Sequence, residues 1–357
     1  MRKLQNMLVT GGAGFIGSNF IRYLLKRADF SGLVVNADKL TYAGNPMNLI
    51  DIESAFGGKR YFFEKADICD FEKMSSVIEK YNVDTIVHFA AESHVDRSIF
   101  GPKTFVDTNI NGTFSLLEAS RKAWAKRDDV LFHHISTDEV YGSLDGGGCF
   151  FETTPYNPRS PYSASKASSD HIANAYYHTY NLPVTISNCS NNYGPYQFPE
   201  KFLPLMIINM LEGKELPVYG DGKNVRDWLH VEDHCEAIRL ILKNGKTGET
   251  YNVGGESEWP NIEFVNVLSG KVAKLPSKNP DSLKKLIKIV PDRPGHDRRY
   301  AINCDKIKAA LGWQRTYDFN TGLDSTIKWY LNNMEWTNHV RNGDYQKWMN
   351  ANYKGRT

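Results

Sequence analysis

The chain has 357 residues, 41% hydrophobic and 24% charged, an ordinary globular composition and more chain than one core usually fills. A formal net charge of +2 with no block of lysine or arginine gives no electrostatic case for nucleic acid or a membrane surface, and no apolar run is long enough to span a bilayer. The five cysteines (Cys69, Cys149, Cys189, Cys235, Cys304) are scattered singly, so neither a metal site nor a disulfide framework is expected, and a reducing cytoplasm is the expected compartment.

Met7-Leu8-Val9-Thr10 reads as a short buried strand, followed by Gly11-Gly12-Ala13-Gly14-Phe15-Ile16-Gly17 and the helical spacing Phe20, Ile21, Leu24, Leu25. Strand, glycine turn and helix in that order suit a dinucleotide, with the glycines letting backbone approach a pyrophosphate at the helix N-terminus. Two registers fit, Gly12-x-Gly14-x-x-Gly17 and the wider spacing Gly11, Gly14, Gly17. The next strand, Leu33 to Ala37, ends in Asp38, placed as a ribose-binding acid would be. A carboxylate there accepts from a 2′-hydroxyl and repels a 2′-phosphate, which favours NAD over NADP, although Lys39 beside it weakens that preference.

Further strands are expected at Tyr61-Phe62-Phe63 and at Thr85 to Phe89, the second followed by the small residues Ala90 and Ala91. Asp67 after the first either meets an adenine edge or caps the next segment. A long helix is expected from Phe105 to Lys126, then a buried strand Val130 to Ile135, with His88, His133 and His134 read as core or cap histidines. Ser136-Thr137-Asp138-Glu139-Val140-Tyr141-Gly142 lies just past that strand's carboxyl end, the edge where open α/β sheets bind ligands. Two carboxylates in different environments supply one acid and one base; taken alone, the segment reads first as a polar loop with a capping Asp, and what reverses that reading lies elsewhere in the chain. Both reach one ligand only if the chain has left strand geometry by Thr137.

Pro155, Pro158 and Pro161 keep the chain non-helical until Tyr162, where a helix runs to about Tyr180 and places Tyr162 and Lys166 on one face. A neighbouring ammonium and a positive nicotinamide would favour the phenolate. After the strand Val184 to Ser187, the stretch Ser190 to Pro199 is too rich in turn residues for a regular element. Beyond it come a helix Phe202 to Glu212, a strand Leu216 to Tyr219, the segment Arg226 to Val231 and a helix Glu232 to Leu242. They are followed by Tyr251-Asn252-Val253, a helix from Ile262, a strand Ile287 to Val290 and helices near Asp305 and Leu323. The fold class read from this alternation is α/β: a doubly wound parallel Rossmann sheet with a smaller mixed α/β substrate-binding lobe. Residues 1–189 form the dinucleotide unit, rejoined by about 230–255, and 190–357 mainly the second lobe. The tail from Asn338 to Thr357 is polar and uninformative.

The chain resembles the extended short-chain dehydrogenases/reductases, and among them the nucleotide-sugar 4,6-dehydratases. The resemblance rests on the glycine turn, Asp38-Lys39-Leu40-Thr41, Ala90 to Ser98, Ser136 to Gly142, Tyr162 to Lys166, Asn188 to Tyr196, Arg226-Asp227-Trp228, and Asp292 to Tyr300, in order from Thr10 to Tyr300. It implies a lyase that borrows NAD and returns it, with Thr137, Asp138, Glu139, Tyr162 and Lys166 as catalytic residues. It further implies that Gly11, Gly14, Phe15, Ile16, Gly17, Asp38, Lys39, Leu40, Thr41, Asp67, Ile68, Phe89, Ala90, Ala91, Thr108, Tyr162, Lys166 and Asn192 hold NAD. Ser93, Thr137, Asn191, Lys201, Phe202, Pro217, Val218, Tyr219, Arg226, Asn261, Asp292, Arg293 and His296 are implied to hold the nucleotide sugar, with Lys201, Arg226 and Arg293 suited to a diphosphate. The second lobe is most similar to those that take dTDP-glucose, with Phe202 and the Ser257 to Pro260 approach as departures. Related enzymes dimerise through the helices corresponding to those beginning near Phe105 and Tyr162, so a homodimer is implied. The competing readings are a dehydratase of another nucleotide sugar, a 4-epimerase, which lacks the adjacent acid–base pair, and a non-catalytic NAD-binding protein.

Overall fold

The apolar strands of the first half stack into one parallel sheet because both of its faces are covered, as near-continuous hydrophobic runs require. The computed structural model describes residues 2–276 and 278–341, with 345 and 347; the rest of the polar tail lies outside the described residues. The strands in chain order are β1 Asn6–Thr10, β2 Leu33–Asp38, β3 Tyr61–Lys65, β4 Thr85–His88, β5 Leu131–Thr137, β6 Val184–Cys189 and β7 Asn191–Tyr193. They continue as β8 Leu216–Tyr219, β9 Val225–His230, β10 Thr250–Val253, β11 Glu258–Pro260 and β12 Ile287–Val290. Seven form the main sheet in the order β10-β6-β5-β4-β1-β2-β3, all neighbours parallel. The order reverses between β1 and β4, so the glycine turn after β1 opens into the crevice at the strands' carboxyl edge.

Alternation along each strand fills two cores. Leu8, Val35, Ile86 and Phe132 pack on one side with Met74, Leu116 and Ala173. Met7, Val9, Val34 and Val87 face the other, against Phe20, Ile21, Leu24 and Ile238. The helix Val231–Asn244, on the second core, and β10, at the sheet edge, both return to this first sheet.

The second lobe holds a three-stranded sheet, β11-β9-β7, and the pair β12-β8. Its core gathers Trp228, Phe264, Leu268 and Leu323. Here the structure departs from the sequence reading: Asn191–Tyr193 is a strand, despite its turn-rich composition, because it pairs with Trp228–His230. Pairing and burial override the weak strand propensity of asparagine. The helix expected at Phe105 to Lys126 begins at Pro102, runs as a π-helix over Val106–Gly112 and ends at Ala123. Asn109 in this π turn binds the backbone N–H and carbonyl of Glu92 and the hydroxyl of Ser165, fixing the loop after β4 to the helix that carries Tyr162.

Candidate active site

Gly11 has φ +69°, and a Cβ there would lie 2.7 Å from backbone atoms of Ala90. At Gly17 a Cβ would lie 2.5 Å from the carbonyl oxygen of Gly11, so the turn and helix pack backbone on backbone, which only glycine permits. Asp38, buried at the end of β2, is fixed by two backbone donors: Ala13 N–H to Oδ2 at 2.9 Å and Leu40 N–H to Oδ1 at 2.8 Å. Each oxygen keeps a lone pair for a hydroxyl. The cradle and this carboxylate together fit the pyrophosphate and ribose diol of NAD.

The cleft above the turn is lined by Gly11, Gly14, Phe15, Ile16, Gly17, Asp38, Lys39, Thr41, Asp67, Ile68, Phe89, Ala90, Ala91, Thr108 and Asn192. Of the positions expected near NAD, Leu40 alone does not line it; its φ of +58° and its N–H bond to Asp38 shape the loop instead. The ammonium of Lys39 pairs with Asp67 at 2.6 Å, and Asp67 also accepts from Cys69 N–H, so it closes a local turn as well as lining the cleft.

Farther along the same cleft stand Thr137, Asp138, Glu139, Tyr162 and Lys166. β5 ends at Thr137 and a 3₁₀ turn over Asp138–Tyr141 comes next, so both carboxylates reach one cavity. The cap of that turn is Thr137, whose Oγ1 accepts from Glu139 N–H at 3.3 Å, and not Asp138. Asp138 is buried, with Oδ2 unpartnered among the described residues. Its carboxyl is pushed well above the usual range by burial, then by the neighbouring charges of Glu139 and Asp227. The carboxyl of Glu139 is also raised by burial, but the positive charges of Arg293 and Arg226 oppose the shift.

Tyr162 and Lys166 lie on the helix Pro161–Tyr180, which starts at a Ser160–Ser163 capping box with proline in its first turn. Both side chains are buried. The expected pairing of ammonium and phenol is not what is seen: Lys166 Nζ donates to the carbonyl of Ile135 at 2.8 Å and lies 3.2 Å from His134 Nε2. The phenol of Tyr162 is accordingly raised well above its usual value by burial and the charge of Glu139. His88 and His133 are buried core residues held by Thr10 and Thr113, and by Thr185 and Ser187. The described residues contain no cluster of metal-ligating side chains.

The expected sugar-nucleotide residues divide. Ser93, Asn191 and Lys201 line the cleft, Lys201 donating to the Ser93 carbonyl at 3.0 Å. Arg226 lies over the ring of Tyr300, 4.3 Å from its centroid, and donates to the carbonyl of Asp297. Tyr219 donates to Asp96 at 3.1 Å, and the ring of His296 stands edge-on to it, held by Asp292 at 2.5 Å. Pro217 shares the half-buried face of β8 with Tyr219, whereas Val218 is buried in the second core. Phe202 stacks on Trp228, which explains the departure at this position: the ring fills the second lobe's core. Asn261, buried, opens the helix Asn261–Val272. Sequence reasoning missed Tyr42, Glu92, Gln197, Phe198 and Glu200, which also line the cleft. Glu200 is signalled only by adjacency to Lys201.

Residues 8–326 match the family described as GDP-mannose 4,6 dehydratase. The chain is 50% identical to the dTDP-glucose 4,6-dehydratase of Salmonella typhimurium, over 99% of this chain and 100% of that protein. It is 52% identical to the same-named protein of Xanthomonas campestris, over 96% and 98%. Among solved structures, dTDP-glucose 4,6-dehydratase from Bacillus anthracis in complex with NAD superposes with a TM-score of 0.83 at 48% identity, covering 94% of this chain and 99% of that one. A UDP-glucose 4-epimerase from Thermotoga maritima superposes almost as well, at 0.81, but with 28% identity over 92% and 100%. Fold alone therefore does not separate the two activities, and near-full-length identity does: the chain belongs to the dTDP-glucose 4,6-dehydratase family of the extended short-chain dehydrogenases/reductases.

Proposed function

We propose that this protein is an NAD-dependent lyase that converts dTDP-glucose to dTDP-4-dehydro-6-deoxy-D-glucose. The observation that carries the reading is a pair of adjacent carboxylates, Asp138 buried and Glu139 half-buried, of unequal acidity, lining one cleft with Tyr162 and Lys166. An epimerase has no use for such a pair. NAD, held by the glycine turn and Asp38, supplies the hydride acceptor for C4, the donor returned to C6, and a positive charge beside Tyr162.

Tyr162 takes the proton of the 4-hydroxyl as C4 is oxidised, with Thr137 and Lys166 orienting the oxygen. The ketone acidifies the C5 proton, which the ionised Glu139 removes. Asp138, kept protonated by burial and like charge, gives its proton to the C6 hydroxyl, which leaves as water. Glu139 returns a proton to C5 as C6 is reduced. Lys201, Arg226 and Arg293 are assigned to the diphosphate, supported by their common electrostatic influence on Glu139. Ser93, Asn191, Tyr219, Asn261 and His296 are assigned to the rest of the nucleotide sugar.

In this reading residues 1–189 with 230–255 hold NAD, and the second lobe holds the sugar nucleotide. A homodimer through the helices after Pro102 and Pro161 is supported by the half-exposed Val106, Phe114 and Tyr180 on them. We place the enzyme in the cytoplasm, where its unpaired cysteines stay reduced. The test is incubation with dTDP-glucose in D₂O without added reductant. Product carrying deuterium at C5 with no net change in NAD is expected; unchanged substrate, or inversion at C4 alone, contradicts the proposal.

A further inference from the structure

Lys166 acts as an ammonium although its side chain is buried. An amine removed from water loses its proton readily, and burial lowers that of Lys166 to about 8. Against the imidazole nitrogen that Lys166 meets, His134 Nε2, lies Oδ1 of Asp170 at 3.1 Å, with both side chains wholly buried. The other oxygen, Oδ2, accepts from Ser136 Oγ at 2.7 Å and from Tyr156 Oη at 3.0 Å. Tyr162, Lys166 and Asp170 fall four apart on the helix Pro161–Tyr180, so one buried stripe carries phenol, amine and carboxylate.

We propose that Asp170, fixed by Ser136 and Tyr156, is the buried counter-charge that keeps Lys166 an ammonium, a positioning residue that acts on the reaction through Lys166. The inference rests on the role given above to Lys166. The other groups facing this amine are His134 from β5, His88 from β4 and Cys189 from β6; Tyr156, Tyr141 and His171 face Asp170. Burial holds both histidines neutral and raises the Cys189 thiol to about 12, and the tyrosines are raised as well. Asp170 is the one of these groups that is anionic near neutral pH, its carboxyl raised only to about 6. Amine and carboxylate are thus both charged between about 6 and about 8.

The test is the titration of Lys166 in full-length protein with NAD bound, labelled with ¹³Cε-lysine, the resonance identified by its loss in Lys166→Met. A midpoint near 8 is expected for the natural sequence. In Asp170→Asn it is expected at least about one pH unit lower, as befits loss of an opposite charge one helical turn away in a buried site. The alkaline limb of kcat should move by the same amount while KM for dTDP-glucose stays within about twofold. Should Asp170→Asn not fold, Ser136→Ala with Tyr156→Phe removes both donors, raises the midpoint of Asp170 and so lowers that of Lys166. An unmoved Lys166 midpoint in a folded variant overturns the proposal, because a merely structural Asp170 would change stability alone. This readout does not depend on turnover, so failure of the dehydratase reading is seen separately, as no product from the unaltered chain.

Discussion

Replacing Asp38 by asparagine tests the cofactor cradle through two hydrogen bonds. In the structure each carboxylate oxygen takes one backbone N–H, from Ala13 at 2.9 Å and from Leu40 at 2.8 Å. Asparagine has a single acceptor oxygen, so its amide must face one of those donors. Losing a hydrogen bond to a charged group and leaving a buried N–H unpaired costs about 1–3 kcal/mol. Part of this falls on the folded state, since the loop through Leu40 is held in left-handed geometry by that bond. The rest falls on NAD, whose ribose diol loses a charged acceptor, so affinity should drop roughly 10–100-fold. Discrimination against NADP should narrow too, because unit charges 4 Å apart repel by about 4 kcal/mol at an effective dielectric of 20, and that repulsion is removed. The assay is calorimetric titration of cofactor-stripped protein with NAD and with NADP, beside thermal unfolding without either. Unchanged NAD affinity at an unchanged Tm would refute the assignment of Asp38.

Gly17→Ala would force a methyl into the backbone of Gly11 and Gly12, at 2.5 and 2.8 Å, and should cost about 1–3 kcal/mol, read as a lower Tm and weaker NAD binding. Arg97→Met should cost about 3–5 kcal/mol in a denaturant titration, because it strips Glu200, 2% exposed at the side chain, of a guanidinium 2.8 Å away; a loss below about 1 kcal/mol would show that the pair behaves as an exposed one. Glu139 must be ionised to act, and burial raises its carboxyl, so kcat should fall as pH drops through a value above the usual 4.3 or so. Arg293→Met removes an opposing positive charge and should move that acid limb to higher pH; a shift to lower pH would contradict the electrostatics.

Short-range requirements made much of this site legible in the sequence. Gly11, Gly14, Gly17 and Asp38 are spaced by the backbone geometry of one strand-turn-helix unit, and Tyr162 and Lys166 by one helical period. What escaped reading depends on distant pairing. Asn191–Tyr193 looks like a loop until β9 lies beside it, and the partners of Lys166 come from β5, 31 and 32 residues away, rather than from Tyr162. The capping role of Thr137 was hidden because Thr137 and Asp138 are both good caps, and the exit angle of β5 decides between them. Phe202 likewise reads as a departure until Trp228 and Phe264 are seen to receive its ring.

The claim underlying the rest is that two neighbouring carboxyl groups divide one elimination between them, and solvent deuterium entering recovered substrate measures that division. With dTDP-glucose in D₂O, Asp138→Asn should exchange the C5 hydrogen yet release little product, since the base remains and the acid is gone. Glu139→Gln should do neither. Product formed by Asp138→Asn at the natural rate, or C5 exchange persisting in Glu139→Gln, would contradict the assignment.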